Sequence, residues 1–396
     1  MTNLIVEPLI CLWSLVLGII ACLFIPFAPW FAQTLFQHGS WGLLGAERIC
    51  AFFGSLQLSS IWVSTPTFIQ IVFYYLFLGC LILHLYKHKH LQDHWIKLSS
   101  IFLVCLLLSA GYPKLLKQFS SSTTVSFLDV GQGTSTLLQL PHNRNILIDG
   151  GGAASDRFNI GERIIAPFLW KNKINRLDGL VITHPHADHY NGLPFVIQRF
   201  QPKVIWVNGD QEIDHDYLQL LKLADHLDVE IITPSSEMLL FQSADARLKN
   251  ISIPKKVTFK TSLPISNKGY NVKSNPNNRS LVLRLDTNKL SYLFPGDINS
   301  FMEKELITKK KRLKADILLA AHHGSSSSNS SDFMNAVDPS YLVISTGRQN
   351  PFLFLNQFLT GNSSEGDIQV YTTARDGTVT FTDNGEEFSV SRYQIN

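Results

Sequence analysis

Charge is almost absent from the first 110 residues of this 396-residue chain. They carry four basic residues (Arg48, Lys87, Lys89, Lys97) and three acidic ones (Glu7, Glu47, Asp93). The other 286 residues hold 30 basic and 28 acidic residues, the density of an ordinary soluble domain. The chain is therefore read as two parts, 1–112 and 113–396. Its mean hydropathy of +0.09 is an average over both. Intrinsic disorder, a coiled coil and a highly charged nucleic-acid-coating protein are disfavoured by this composition. A net charge of +3 is too small to argue for any partner.

The first part reads as transmembrane helices. Residues 9–29 and 67–86 are apolar runs long enough to cross a hydrocarbon core of ~30 Å. Residues 96–112 form a third, shorter run with Lys97 at its edge. Trp30, Trp62 and Trp95 stand at segment edges, where aromatic rings favour the membrane boundary. The first run is too long, and too poor in basic residues at its start, for a signal peptide. Residues 30–55, apolar but broken by Gly and charge, read as an interfacial or re-entrant helix. Lys87, Lys89 and Lys97 place the second loop in the cytoplasm and the C-terminal part outside it. Lys114 and Lys117, just past the third run, pull the other way.

The second part alternates strands and helices. Strands are expected at 123–130, 134–140, 145–149, 177–183, 203–207, 229–233, 238–241, 256–260, 280–286, 290–295, 315–321, 341–345, 368–372 and within 378–393. Helices are expected at 160–173, 192–200, 215–227, 299–310 and 332–337. Strand pairs alternating with helices predict an α/β class domain, two sheets with helices outside, an α/β/β/α sandwich.

The most informative stretch is Thr183-His184-Pro185-His186-Ala187-Asp188-His189. Four potential metal ligands fall within six residues, directly after a buried strand that would deliver them to a cleft at the sheet's edge. Imidazole suits Zn, Mn or Fe, and carboxylate can bridge two ions. His184 and His186 can share one ion, while Asp188 and His189 reach a second. Two later strands end in candidate ligands, Asp297 after 290–295 and His322-His323 after 315–321. All five cysteines lie in the first part, which excludes a thiol nucleophile and cysteine ligation from the second.

This ensemble resembles the metallo-β-lactamase superfamily of hydrolases. Asp129-Val130-Gly131-Gln132-Gly133, Asp149-Gly150-Gly151, Asn277-Asn278-Arg279-Ser280-Leu281-Val282-Leu283, Pro295-Gly296-Asp297 and His322-His323-Gly324-Ser325 together resemble one branch. That branch is the C-terminal domain of the ComEC family of DNA-internalisation competence proteins, over about 115–385. The first part is similar, mostly in composition, to the last spans of that family's membrane domain. The resemblance implies two divalent metal ions, Zn or Mn, and no small-molecule cofactor. It implies His184 and His186 on one ion, Asp188 and His189 on the other, Asp297 bridging, and one histidine of the final pair completing the shell. His323 is favoured as that ligand, with His322 touching substrate. Asp188 or Asp297 can orient the attacking hydroxide, and Asp188 is the candidate catalytic residue. Asp149 and Asp129 are expected behind the ligands, orienting them. Asn278 stands where many superfamily members have a further ligand histidine, and Asn278, Arg279 and Ser325 are expected to contact substrate, Arg279 at a bound phosphate.

The resemblance further implies hydrolysis of one DNA strand during import, together with membrane lipid and other DNA-uptake components. The setting would be the cytoplasmic membrane, with the hydrolase part outside it. The chain departs from the family at Thr134, where an Asp is usual, and at 347–353, which lacks a His-Pro-rich turn. It also begins inside the family's membrane domain, so channel activity is not expected of this chain alone. Two other readings are a catalytically weak component that only guides DNA and a hydrolase of cell-envelope phosphodiesters.

Overall fold

The computed structural model describes residues 2–56, 63–86, 89–152, 158–210, 214–253, 276–347 and 368–393. Two compact units divide between Val63 and Ser64. In the first unit, α1 spans Thr2–Phe24 and contains a wider π turn at Pro8–Ser14. It packs along α2, Pro29–Ser55. Ala32, Gly39, Gly42 and Ala46 are buried on α2. A Cβ at Gly42 would overlap Ser14 Oγ and the Trp13 ring, so this close approach needs the missing side chain. The expected interfacial or re-entrant stretch is thus one continuous 27-residue helix.

The second unit opens with α3, Phe68–Tyr86, paired with α4, Lys89–Phe119. Gln70 Nε2 donates to the Ser109 carbonyl at 3.0 Å across the pair. Helices α1, α3 and α4 supply three stretches long and apolar enough to cross a membrane: Thr2–Phe24, Phe68–Tyr86 and Asp93–Phe119. Helix α4 runs through Pro113 to Phe119, past the expected break at 111–113. Its end is tied to the turn after the helix Ala166–Lys171, since Lys117 Nζ donates to the Asn172 carbonyl at 3.0 Å. The Thr65 N–H likewise donates to the Trp170 carbonyl at 3.2 Å.

Fifteen strands form two sheets among the described residues. The first contains β1 (Thr123–Phe127), β2 (Thr136–Leu140), β3 (Arg144–Ile148), β4 (Gly179–Ile182), β5 (Val204–Val207) and β6 (Glu230–Ile232), with β14 (Thr378–Asp383) and β15 (Phe388–Tyr393). Its order is β15-β14-β1-β2-β3-β4-β5-β6. The second contains β7 (Leu239–Gln242), β8 (Ala246–Asn250), β9 (Leu283–Thr287), β10 (Ser291–Phe294), β11 (Ile317–Leu319), β12 (Tyr341–Ile344) and β13 (Gln369–Thr372). Its order is β13-β12-β11-β10-β9-β8-β7. The expected strand 256–260 lies outside the described residues, and β8 was not expected.

Side-chain alternation sorts the core into three layers. Leu147, Leu180, Ile182, Ile205 and Val207 face helices that contribute Leu169, Val196, Phe200 and Leu220. Their strand neighbours Ile146, Ile148, Val181 and Trp206 face the other way. There they meet Leu283, Leu285, Tyr292, Phe294, Ile317 and Leu319 of the second sheet. Leu293, Leu318 and Leu342 point outward again, onto Leu306, Phe333 and Val337 of the helices Ser300–Thr308 and Ser331–Val337. Strands buried on both faces require apolar residues at every position, as in β4. The result is the predicted α/β/β/α sandwich.

Parallel pairing places the site. Strands β3, β4, β5 and β6 run parallel, as do β10, β11, β12 and β13. Their C-terminal ends emit the loops that carry Asp149, His184, Asp297, His322 and Ser345. Ligands bind at such carboxyl edges because the loops there converge while the strands hold them fixed.

Candidate metal centre

Strand β4 ends at Ile182, and Thr183 then ties the site together. Its N–H and hydroxyl donate to Asp149 Oδ1 and Oδ2, both at 2.8 Å. The next residue, His184, is fully buried, with Nδ1 3.2 Å from Thr183 Oγ1. A one-turn helix, Ala187–Tyr190, then turns Asp188 and His189 toward the second sheet. His189 is also fully buried, and its Nδ1–H donates to Asp149 Oδ2 at 2.8 Å. Its other ring nitrogen, Nε2, then points at Asp297, 3.2 Å from Oδ1.

Two glycine loops press on this helix. Gly133 (φ +117°) and Gly152 (φ +158°) sit where a Cβ would overlap the carbonyl oxygens of Asp188 and Ala187. This is the local reason for glycine in the motifs at 129–133 and 149–152.

The second sheet supplies the other wall. Asp297 follows β10, and only 2% of its surface is exposed. Its Oδ2 lies 3.7 Å from His184 Nε2, 3.7 Å from His323 Nε2 and 4.0 Å from His322 Nε2. His323 Nδ1 lies 3.1 Å from the Ser345 carbonyl, a pure acceptor, so Nδ1 carries the proton. His323 Nε2 faces Asp188 Oδ2 at 3.0 Å. Thr134 Oγ1 is 3.4 Å from His323 Nδ1, so the residue that departs from the family pattern still touches the ligand set.

Charge balance in this cluster is unusual. Burial pushes the His184 imidazole well below its ordinary pKa, reinforced by His189. Burial would also lower His189, but the Asp297 and Asp149 carboxylates outweigh it and raise it well above normal. Burial works against the charge of Asp297, yet His189, His323 and His184 hold its pKa well below the usual carboxylate range. Asp188 is likewise held low against burial, by the His323 hydrogen bond and by His189.

The donor set fits a cation. Asp188, His189, Asp297 and His323 offer atoms that all lie within 4.8 Å of one another. The buried His184 and His189 Nε2 atoms find no well-directed hydrogen bond among the described residues. Buried polar atoms are rarely left so, and a cation shared with Asp297 satisfies both.

The other expected residues are placed differently. His186 is half-buried, with its ring centroid 4.6 Å from that of His184. Asp129 accepts from the Gly131 N–H at 3.3 Å, within its own turn and not behind a ligand. Asn278 Oδ1 accepts from the Asn299 N–H at 3.0 Å. Arg279 is largely buried and pairs with Asp210, Nε to Oδ2 at 2.5 Å, which latches the loop after β5 to the loop before β9. Ser325 shapes its own loop, its N–H donating to the His322 carbonyl at 2.8 Å. Of the stretch 347–353, residues 348–353 lie outside the described residues. Sequence reasoning missed Thr183, Ser345 and Asn277 as site residues. Thr183 had a readable signal, a polar residue closing a wholly apolar strand. The others depend on contacts between distant segments.

Residues 128–348 match the family model described as the metallo-beta-lactamase superfamily. The chain belongs to that superfamily. Residues 1–88 match a second model, the competence protein family. ComE operon protein 3 of Bacillus subtilis (strain 168) is 27% identical over 282 residues, 66% of this chain and 33% of that protein. Competence protein ComA of Neisseria gonorrhoeae is 27% identical over 288 residues, 70% of this chain and 35% of that protein. The chain spans about a third of the length of these relatives. The solved structure of a CmlA beta-hydroxylase mutant aligns over 65% of this chain and 53% of its own, with 11% identity and a TM-score of 0.41. The two family matches, competence first and metallo-beta-lactamase second along the chain, are consistent with the ComEC-family resemblance.

Proposed function

We propose that this chain is a membrane-anchored, metal-dependent phosphodiesterase that hydrolyses one strand of DNA during its uptake. Residues 1–112 form its membrane part in the cytoplasmic membrane, and 113–396 its hydrolase part outside. The observation that carries the chemistry is the convergence of His184, His189 and His323 on one buried carboxylate, Asp297, with Asp188 paired to His323 beside them. The competence family match of residues 1–88 supports DNA as the substrate class.

His184 and His186 would hold one divalent ion, Asp188, His189 and His323 a second, and Asp297 both. Ions held there supply Lewis acidity toward a phosphoryl oxygen and lower the pKa of water to about 7. The chain's own residues prepare this. Asp149 and the Ser345 carbonyl each take a ring proton, fixing the tautomers of His189 and His323. Asp188, 31% exposed at its side chain, stays ionised at the rim, where it can orient an attacking water. No side-chain nucleophile is required.

One observation favours a second reading. Arg279, expected to grip a phosphate, is committed to Asp210. A domain lacking that grip could guide DNA without cutting it. The full chain in detergent, loaded with Mn²⁺ or Zn²⁺, separates the two on single- and double-stranded DNA. Cleavage abolished by Asp297→Ala supports the phosphodiesterase. Binding without cleavage under both metals supports the guide and overturns the first reading.

A further inference from the structure

The hairpin of α3 and α4 meets the hydrolase part at one edge of the first sheet. Thr65, just before α3, donates its N–H to the Trp170 carbonyl, and its own carbonyl accepts from Lys173 Nζ. Lys117, near the end of α4, reaches the Asn172 carbonyl. Ser120, just past α4, accepts from the His142 N–H at 3.1 Å. Both ends of the hairpin therefore touch the turns that precede β3 and β4. Strands β3, β4 and β5 are parallel, so the turn before β5 lies on the same edge. Arg176 Nε donates across to its Gln201 carbonyl at 3.2 Å. Asp149 and His184 follow the opposite ends of β3 and β4. The candidate metal centre is thus about one five-residue strand, roughly 16 Å, from this edge.

The edge is strongly basic in a chain that is nearly neutral. Segments 141–145, 171–178 and 201–204 hold Arg144, Lys171, Lys173, Arg176 and Lys203 against one acid, Asp178. Asp178 is shared by Arg144 and Lys203, so its single charge offsets only one of the two. Lys173 and Arg176 have carbonyl partners, and Lys171 Nζ lies over the Tyr393 ring at 3.6 Å. Those contacts leave their charges in place. The amino edge of the second sheet also carries cations, but Lys311, Arg312 and Lys314 are paired there with Glu237, Asp286 and Asp338. Beside the unbalanced edge, Phe68 opens α3 and Phe119 closes α4, 80% and 79% exposed. Apolar rings flanked by cations suit a bilayer surface, where the rings enter acyl chains and the cations meet phosphates. A nucleic acid would satisfy the cations and leave the rings in water.

We propose that this edge is a docking surface for anionic phospholipid headgroups. It seats the hydrolase part on the bilayer that α3 and α4 cross and turns the metal centre away from it. The proposal rests on the membrane reading of those helices and not on the chemistry at Asp297.

The test uses the full chain in nanodiscs of phosphatidylcholine, alone or with phosphatidylglycerol. A water-soluble acylating reagent labels exposed amines, and mass spectrometry follows Lys171 and Lys173. Lys222 and Lys304, exposed on the helices His215–His226 and Ser300–Thr308, are the controls. Phosphatidylglycerol should slow labelling of Lys171 and Lys173 about fivefold and leave the controls unchanged. High salt should abolish the difference. The double variant Arg176→Gln, Lys203→Gln should shrink it, with Arg144 still compensating Asp178. Asp297→Ala should behave as wild type. Equal labelling in the two lipids would overturn the proposal. So would slowing by a single-stranded oligonucleotide in place of phosphatidylglycerol, which would make the edge a nucleic-acid surface. A chain that an alkaline wash strips from the discs would overturn the membrane reading, and this proposal with it.

Discussion

Asp149 accepts the Nδ1 proton of His189 at 2.8 Å, and that single contact decides which nitrogen His189 turns toward Asp297. Thr183 braces the same carboxylate from its N–H and its hydroxyl. Asp149→Asn keeps the shape but loses the charge that holds the imidazole. Mn²⁺ affinity should fall about 10–100-fold. Calorimetric titration of the full chain measures it, and an unchanged affinity would show that His189 is oriented by something else.

Gly133 lets the loop after β1 lie against the Asp188 carbonyl. At φ +117° no larger residue is comfortable there, and a Cβ must displace the helix that carries Asp188 and His189. Gly133→Ala should cost about 1–3 kcal/mol and weaken metal binding together. A thermal melt and a metal titration on the same sample test the coupling. Loss of stability with intact metal binding would place the strain elsewhere.

The Arg279–Asp210 pair gives a different kind of prediction. Removing the guanidinium from a buried pair leaves a carboxylate poorly compensated, at a cost of about 3 kcal/mol. Arg279→Ala should therefore lower the melting temperature strongly, and Arg279→Met with Asp210→Leu should recover most of it. A phosphate-gripping arginine would instead lose DNA affinity at unchanged stability.

Asp178 lies at the opposite ends of the strands from the site. It accepts from Arg144 at 2.7 Å, Lys203 at 2.8 Å and the Asn145 N–H at 3.0 Å. Burial opposes its charge, but Lys203, the Asn145 N–H and Arg144 together lower its pKa. Its stabilisation is therefore present above the unfolded value of about 3.9 and is lost as pH falls through the lower folded value. Asp178→Asn should be less stable at pH 7, by about 1 kcal/mol after screening. The difference should close in acid while metal binding stays unchanged. Stability curves that run parallel at every pH would contradict this.

The legible parts of the fold were those encoded in local periodicity. The switch from Leu147 on one face to Ile146 and Ile148 on the other is visible in the sequence, and so is its repetition at 180–182 and 205–207. Strand β8 was hidden because its inward positions, Ala246, Leu248 and Asn250, alternate with Arg247 and Lys249 and include a polar residue. Helix α4 outran its expected end because Pro113 does not stop it. Neighbouring groups in a packed or membrane setting can satisfy the backbone that proline frees.

At the site, the donors from 184 to 189 were readable because they follow one buried strand. The left-handed turns at 322 and 323 were not, since ordinary propensity argues against them. Nor was the burial of Arg279, which depends on Asp210, a partner 69 positions away.

The most direct measurement is single-turnover cleavage of end-labelled single-stranded DNA by the chelator-treated full chain, followed as Mn²⁺ is added. No cleavage is expected without metal, activity should rise until two ions are bound per chain, and Asp297→Ala should show none at any Mn²⁺ concentration. Cleavage that survives both chelation and Asp297→Ala would contradict the proposed function. So would intact DNA beside a chain that holds both ions.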